Sequence, residues 1–122
     1  MTKIHEDPAE RFLPLPLPAF HILLSLGEGE RHGYALKREI RQRTGGKLNL
    51  GSGALYGTIS RMLDDGLIEE SSARPDPYLD DARRRYYRIT ALGRRVAQAE
   101  AGRLCQLVRL AAERFGVPEL AR

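Results

Sequence analysis

With 122 residues the chain has room for one domain with a modest core, and 20 Lys and Arg against 16 Asp and Glu give it a formal charge of +4. A hydrophobic share of 42% excludes wholesale disorder, and no apolar run reaches the ~20 residues that span a bilayer. The first residues lack a signal peptide's apolar region, and the single Cys105 excludes an intrachain disulfide. No Cys/His spacing suits zinc, so we expect a cytoplasmic protein with no metal, no cofactor and no membrane contact.

Residues 1–12 are polar and without period, and read as a flexible tail. Leu13-Pro14-Leu15-Pro16-Leu17-Pro18 reads as an extended, polyproline-like approach segment, in preference to a ligand for a proline-recognising groove. Pro18 suits the first turn of a helix, where its missing N–H costs nothing. The apolar run Ala19–Leu26 predicts a short buried helix, ended by Gly27-Glu28-Gly29-Glu30. His21 within it is read as a satisfied, partly buried side chain, because it has no partner at metal spacing.

His32-Gly33-Tyr34 opens a second helix that runs to Thr44 and is stopped by Gly45-Gly46. Leu36 and Ile40 face inward at i and i+4, while Lys37, Arg38, Arg41 and Arg43 cover the outside. A turn of about six residues leads to a third helix, and two helices so joined make a helix-turn-helix candidate.

The third helix has two unlike faces. Leu55, Ile59, Met62 and Leu63 form an apolar stripe; Ser52, Tyr56 and Ser60 make a polar row with Arg61 on its flank. Ser52 is the expected N-cap, and Gly66 the left-handed residue past the end. Small, polar and cationic groups on an outer face suit a DNA major groove, although an ordinary surface helix shows the same amphipathicity.

Leu67–Ser72 predicts a strand, 73–82 a loop, and Arg83–Ile89 a second strand with Tyr87 and Ile89 inward and Tyr86 and Arg88 outward. A hairpin in this place is the wing of a winged helix. Its arginines could be a plain solvated charge run; interleaved with tyrosines directly after a groove-suited helix, they read as phosphate contacts.

Thr90 is the expected N-cap of a long last helix reaching about Phe115. Its stripe of Leu104, Leu107, Val108, Ala111 and Phe115, preceded by Leu92 and Val96, is expected to pair with a second subunit. The other reading folds it back onto the first helix of its own chain. Cys105, beside Leu104 and Val108, reads as an inert buried thiol. The expected fold is thus mainly α with a small β-hairpin wing: a winged helix-turn-helix over 13–89 and a dimerisation helix over 90–122.

From about residue 17 to 100 the chain resembles the PadR-like transcriptional regulators. The resemblance rests on His32-Gly33-Tyr34, Gly53-Ala54-Leu55-Tyr56, Leu63…Gly66-Leu67-Ile68, and Arg85-Tyr86-Tyr87-Arg88-Ile89-Thr90-Ala91-Leu92-Gly93-Arg94 in that order. It implies a homodimer that represses genes by binding operator DNA, and small-molecule effectors whose identity no residue set here specifies. The residues expected to meet double-stranded DNA are Tyr34, Lys37, Ser52, Gly53, Ala54, Tyr56, Ser60, Arg61, Arg84, Arg85 and Tyr86. Two departures stand out: Gly57 where the family commonly has proline, and a wing tip made acidic by Asp76, Asp80 and Asp81.

The rival class is a winged helix used as a protein-interaction module, which would need an exposed apolar patch on the third helix. An enzyme is the third and weakest reading, since Ser52, Ser60 and Cys105 have no His and carboxylate at catalytic spacing.

Overall fold

The computed structural model describes residues 7–71 and 85–116; the wing-tip loop over 73–82, Arg83 and Arg84 lie outside them. Within these residues are four α-helices and three short strands, α1 Leu17–Leu26, β1 Arg31–His32, α2 Gly33–Arg43, α3 Ser52–Asp64, β2 Ile68–Ser71, β3 Tyr86–Ile89 and α4 Ala91–Phe115. The expected mainly helical winged helix-turn-helix is present, with one strand more than the sequence suggested.

Part of the supposed tail is ordered. Asp7 caps a 3-10 turn over Pro8–Phe12, its Oδ1 accepting from the Ala9 N–H at 3.0 Å, and Ala9 is fully buried. A five-residue turn with one small inward side chain carries no periodic signal, so it was invisible in the pattern. The Leu-Pro segment follows and brings Leu15 into the core before α1 begins, with Pro18 in its first turn. Ile22, Leu23 and Leu26 of α1 are buried, and each such side chain contributes about 1.5–3 kcal/mol. Ser25 is buried among them, and its hydroxyl accepts from Arg43 Nη2 at 2.8 Å. Arg43 also lies 3.1 Å from His21 Nδ1; burial, and secondarily this guanidinium, lower the His21 pKa.

Helices α2 and α3 end by the same device. Gly45 (φ 62°) and Gly66 (φ 78°) take left-handed backbone conformations one residue past the cap. The N–H groups of Gly46 and Leu67 then reach back to Arg41 O at 2.8 Å and Met62 O at 3.0 Å. This satisfies carbonyls the helix leaves open. The start of α3 differs from expectation. Gly51 is its N-cap, without a side-chain bond, and Ser52 is the first helical residue. The extended backbone falls on Gly51, whose carbonyl accepts from Leu55 N–H at 2.9 Å, so the serine stands one position too late to cap.

The sheet has the order β1-β3-β2, antiparallel throughout. Arg31 pairs with Tyr87 and His32 with Tyr86 on one side; Ile68 faces Ile89 and Ser71 faces Tyr86 on the other. Two residues are too few to show alternation, which is why β1 escaped the sequence reading. Tyr87, on the central strand, is buried, and Ile89 packs at the core edge, while Arg88 is exposed.

Thr90 caps α4, its Oγ1 accepting from Gly93 N–H at 3.0 Å. The same hydroxyl donates toward Gly66 O (2.6 Å) and Leu67 O (3.0 Å), and the Thr90 N–H donates to Leu67 O at 3.1 Å. The 25 residues of α4 rise about 37 Å, far more than the ten of α1 can cover. Here two expectations are corrected. Val96 is fully buried in its own chain's core and so is not free for a second subunit, while Leu92 is half-buried against that core. The fold-back reading therefore holds for the first half of α4. Beyond it Leu107, Val108, Leu110 and Phe115 are exposed, Phe115 to 84%, while Leu104 and Ala111 are half-buried. Cys105 is exposed rather than buried, because the helix has left the core by that point.

Where the two halves of α4 meet, Glu100 is buried, 2% exposed. Its carboxylate accepts from Arg103 Nε at 2.7 Å and Nη2 at 2.8 Å. Those bonds hold its pKa below the ordinary carboxylate value against burial, helped by the Leu15 backbone N–H.

Candidate nucleic-acid interface

Burying Leu55, Ile59 and Met62 turns the opposite side of α3 outward. Ser52, Gly53, Ala54, Ser60 and Arg61 are all exposed there. A Cβ at Gly53 or Gly57 would meet nothing within 4 Å, so these glycines answer to no packing need; with Ala54 and Arg61 they line a cleft of about 430 Å³ against Phe12, Leu15 and Pro16. No exposed large hydrophobic side chain lies on α3, which removes the patch that the protein-interaction reading required. Arg61 has no ion pair among the described residues.

Tyr56 departs from its row. It is half-buried against the core, and a Cβ at Gly33 would overlap its hydroxyl and the adjoining ring atoms. Its ring thus lies on the first residue of α2, and it is near Tyr87, whose phenol pKa is raised chiefly by burial and then by Tyr56. The structure places Tyr56 between α3, α2 and the sheet, with Ser52 and Ser60 on the open side.

Helix α2 begins with a histidine cap. His32 Nδ1 accepts from the Ala35 N–H at 3.1 Å, the work usually done by Ser, Thr, Asp or Asn. The imidazole stacks near Tyr34, with centroids 6.4 Å apart, and meets the Tyr86 ring edge-on at 5.3 Å. A histidine immediately before a helix-opening glycine was the available signal for this cap. Tyr34 is 52% exposed, Lys37 half-buried, and Arg38 and Arg41 exposed beside them.

The described base of the wing is salt-bridged. Arg85 Nη1 lies 3.7 Å from Glu70, and Arg88 lies 2.7 Å from Glu69 and 3.9 Å from Glu30. The hydrogen bond that Arg88 Nε donates to Glu69 is the main reason the Arg88 pKa rises. Of the three expected wing contacts, Arg84 is outside the described residues, Arg85 faces a carboxylate, and Tyr86 is half-buried against His32. Arg31 was not singled out in the sequence; its Nε donates to Glu39 at 2.6 Å and ties β1 to α2. A groove of about 840 Å³ runs between the N-terminal segment and the second half of α4, lined by Glu10, Leu13, Leu107, Arg109, Leu110 and Glu113 among others. No group of three or more His, Cys, Asp or Glu among the described residues could hold a metal ion, and no described helix is long and apolar enough to cross a membrane.

Residues 22–99 match the model of the transcriptional regulator PadR-like family. Among solved structures, a transcriptional regulator from Clostridium thermocellum superposes with a TM-score of 0.65 at 23% identity, covering 93% of this chain and 99% of that one. A PadR family transcription regulator from Clostridium difficile R20291 gives 0.68 at 19% identity, over 80% and 97%. At these identities both speak for the fold. An uncharacterised protein X of Lysinibacillus sphaericus is 34% identical over 73 residues, 60% of this chain. The chain spans 22% and 64% of the two curated relatives it matches.

Proposed function

Because the chain belongs to the PadR-like family of transcriptional regulators, which are not enzymes, we propose that it binds operator duplex as a homodimer and represses the genes it occupies. The observation that carries this is the outer face of α3. It presents Ser52, Gly53, Ala54 and Ser60, with Arg61 unpaired among the described residues, all of them exposed. A major groove admits a helix of this kind, and its base edges offer acceptors to a guanidinium and partners of either kind to hydroxyls.

The dimer is assigned to the outer half of α4. Leu107, Val108, Leu110 and Phe115 form an apolar surface that the other described residues leave exposed. The adjoining groove carries both signs of charge, Arg109 with Glu10 and Glu113, as a two-fold, self-complementary contact needs. A dimer across a promoter excludes other proteins from it, which is the simplest route to repression. The groove shares Leu107 and Leu110 with this interface and is of ligand size, and any small-molecule effector is placed there. On this reading the chain works in the cytoplasm. Selection of bound fragments from the source genome, followed by sedimentation with and without the selected duplex, tests it. A two-fold symmetric site bound by two chains is expected; a monomer, or retention without sequence preference, would sink the proposal.

A further inference from the structure

Among the described residues, three cations on the outside of α2 have what the wing's Arg85 and Arg88 lack, freedom from carboxylates. Tyr34, Lys37, Arg38 and Arg41 recur at i, i+3, i+4 and i+7, so they share one helix face. Together they line a shallow cleft of about 130 Å³. The Arg38 guanidinium lies over the Tyr34 ring, 5.5 Å from its centroid. Among the described residues none of the three cations is within ion-pair distance of an acid, and the acidic residue of α2, Glu39, is already taken by Arg31 at 2.6 Å. By contrast Arg85 and Arg88 each face a carboxylate, so a phosphate could recruit them only by displacing it.

We propose that this face of α2 is the chain's main phosphate-binding surface, and that Arg85 and Arg88 serve instead to hold the base of the wing together. The inference rests on the DNA-binding reading above and adds Arg38 and Arg41 to it. From Tyr34 to Arg41 the helix rises about 10 Å, while one DNA strand carries a charge every ~3.4 Å of axis. The face can therefore engage more than one phosphate of a strand. Arginine forks suit phosphate oxygens, and an arginine without an ion pair meets them with no exchange of partners.

The test is the salt dependence of binding to a random-sequence 20-base-pair duplex, for the full chain and two double variants, Arg38→Ala/Arg41→Ala and Arg85→Ala/Arg88→Ala. The α2 variant is expected to flatten the log–log slope by about 1.8 units per bound chain, at ~0.9 per lost contact, and so by about 3.6 for a dimer, while the wing variant keeps nearly the wild-type slope. Arg38→Lys/Arg41→Lys should restore most of the slope. Thermal unfolding run in parallel should show both α2 variants folded, since the two side chains are exposed. A wild-type slope in the α2 alanine variant, or a larger loss in the wing variant, overturns this inference alone. An unchanged slope with lost retention on polyglutamate would reassign the face to an acidic protein and overturn it too. A wild-type chain that binds no duplex overturns both this inference and the reading it rests on.

Discussion

Tyr56 fills the space that a side chain at Gly33 would need. The first residue of α2 is thereby tied to the second turn of α3, and the angle between the two helices depends on a missing methyl group. Gly33→Ala should destabilise the fold by about 1–3 kcal/mol, as overpacking does, where an unhindered Gly→Ala would be neutral or favourable. Adding Tyr56→Phe should recover only part of the loss, because ring carbons as well as the hydroxyl lie in the way. Denaturant unfolding of both variants measures this; a neutral Gly33→Ala would show that the ring is free to move aside.

A second close approach joins α4 to the end of α3. A Cβ at Gly93 would collide with the Leu67 carbonyl, and a backbone atom cannot swing away. Gly93→Ala should therefore cost more than Gly33→Ala. Thr90→Val, which deletes the cap bond to Gly93 and the bond to Gly66, should cost about 1–2 kcal/mol in equilibrium unfolding.

Glu100 makes stability depend on acid. Its folded pKa is depressed, chiefly by Arg103. The stabilisation it supplies is fully present above its unfolded value of about 4.3, and is lost as pH falls through the lower folded value. Glu100→Gln should be less stable than wild type at pH 7, with the gap narrowing as the pH is taken below 4. A constant gap between pH 7 and 3 would mean that the carboxylate is not held ionised in the fold.

The two halves of α4 should answer differently to substitution. Val96→Ala leaves a cavity in a closed core and should cost about 1–3 kcal/mol in a chain whose association is otherwise unchanged. Leu107→Glu/Leu110→Glu should leave the chain folded and shift it to monomer in sedimentation. A double variant that remains a dimer would move the interface elsewhere.

Arg61 is the expected reader of bases on α3. Arg61→Ala should lose about 1–3 kcal/mol of discrimination between a selected site and a site altered at one base pair. Equal loss on all duplexes would make it a phosphate contact.

Much of this architecture could be read from the chain because its signals are local. The glycines at 45 and 66 mark helix ends through backbone conformation alone, and Leu36, Ile40, Leu55 and Ile59 announce their buried faces by spacing. The site was less legible. Tyr56 falls at the border between the buried stripe and the open face of α3, where helical period does not decide; a void on another helix, at Gly33, decides it. Val96 and Leu107 lie on one drifting stripe, yet a ten-residue α1 reaches only the first of them. Which arginines are paired was hidden as well, since Glu69 and Glu70 lie 17 and 16 residues before the start of β3 and meet it only through the register of the sheet.

The hydroxyl of Thr90 has a reach beyond its own cap. It touches the carbonyl ending α3, the carbonyl leading into the sheet, and the amide that starts α4. The reading head and the arm that would join two copies thus share a welded joint rather than a hinge. In a dimer built on α4, the separation of the two heads is then set by the length and crossing of two stiff rods. Such a pair acts as a calliper with a fixed opening. It would match half-sites a whole helical turn apart, about 34–36 Å, and would reject the same two half-sites moved by half a turn onto opposite faces of the duplex.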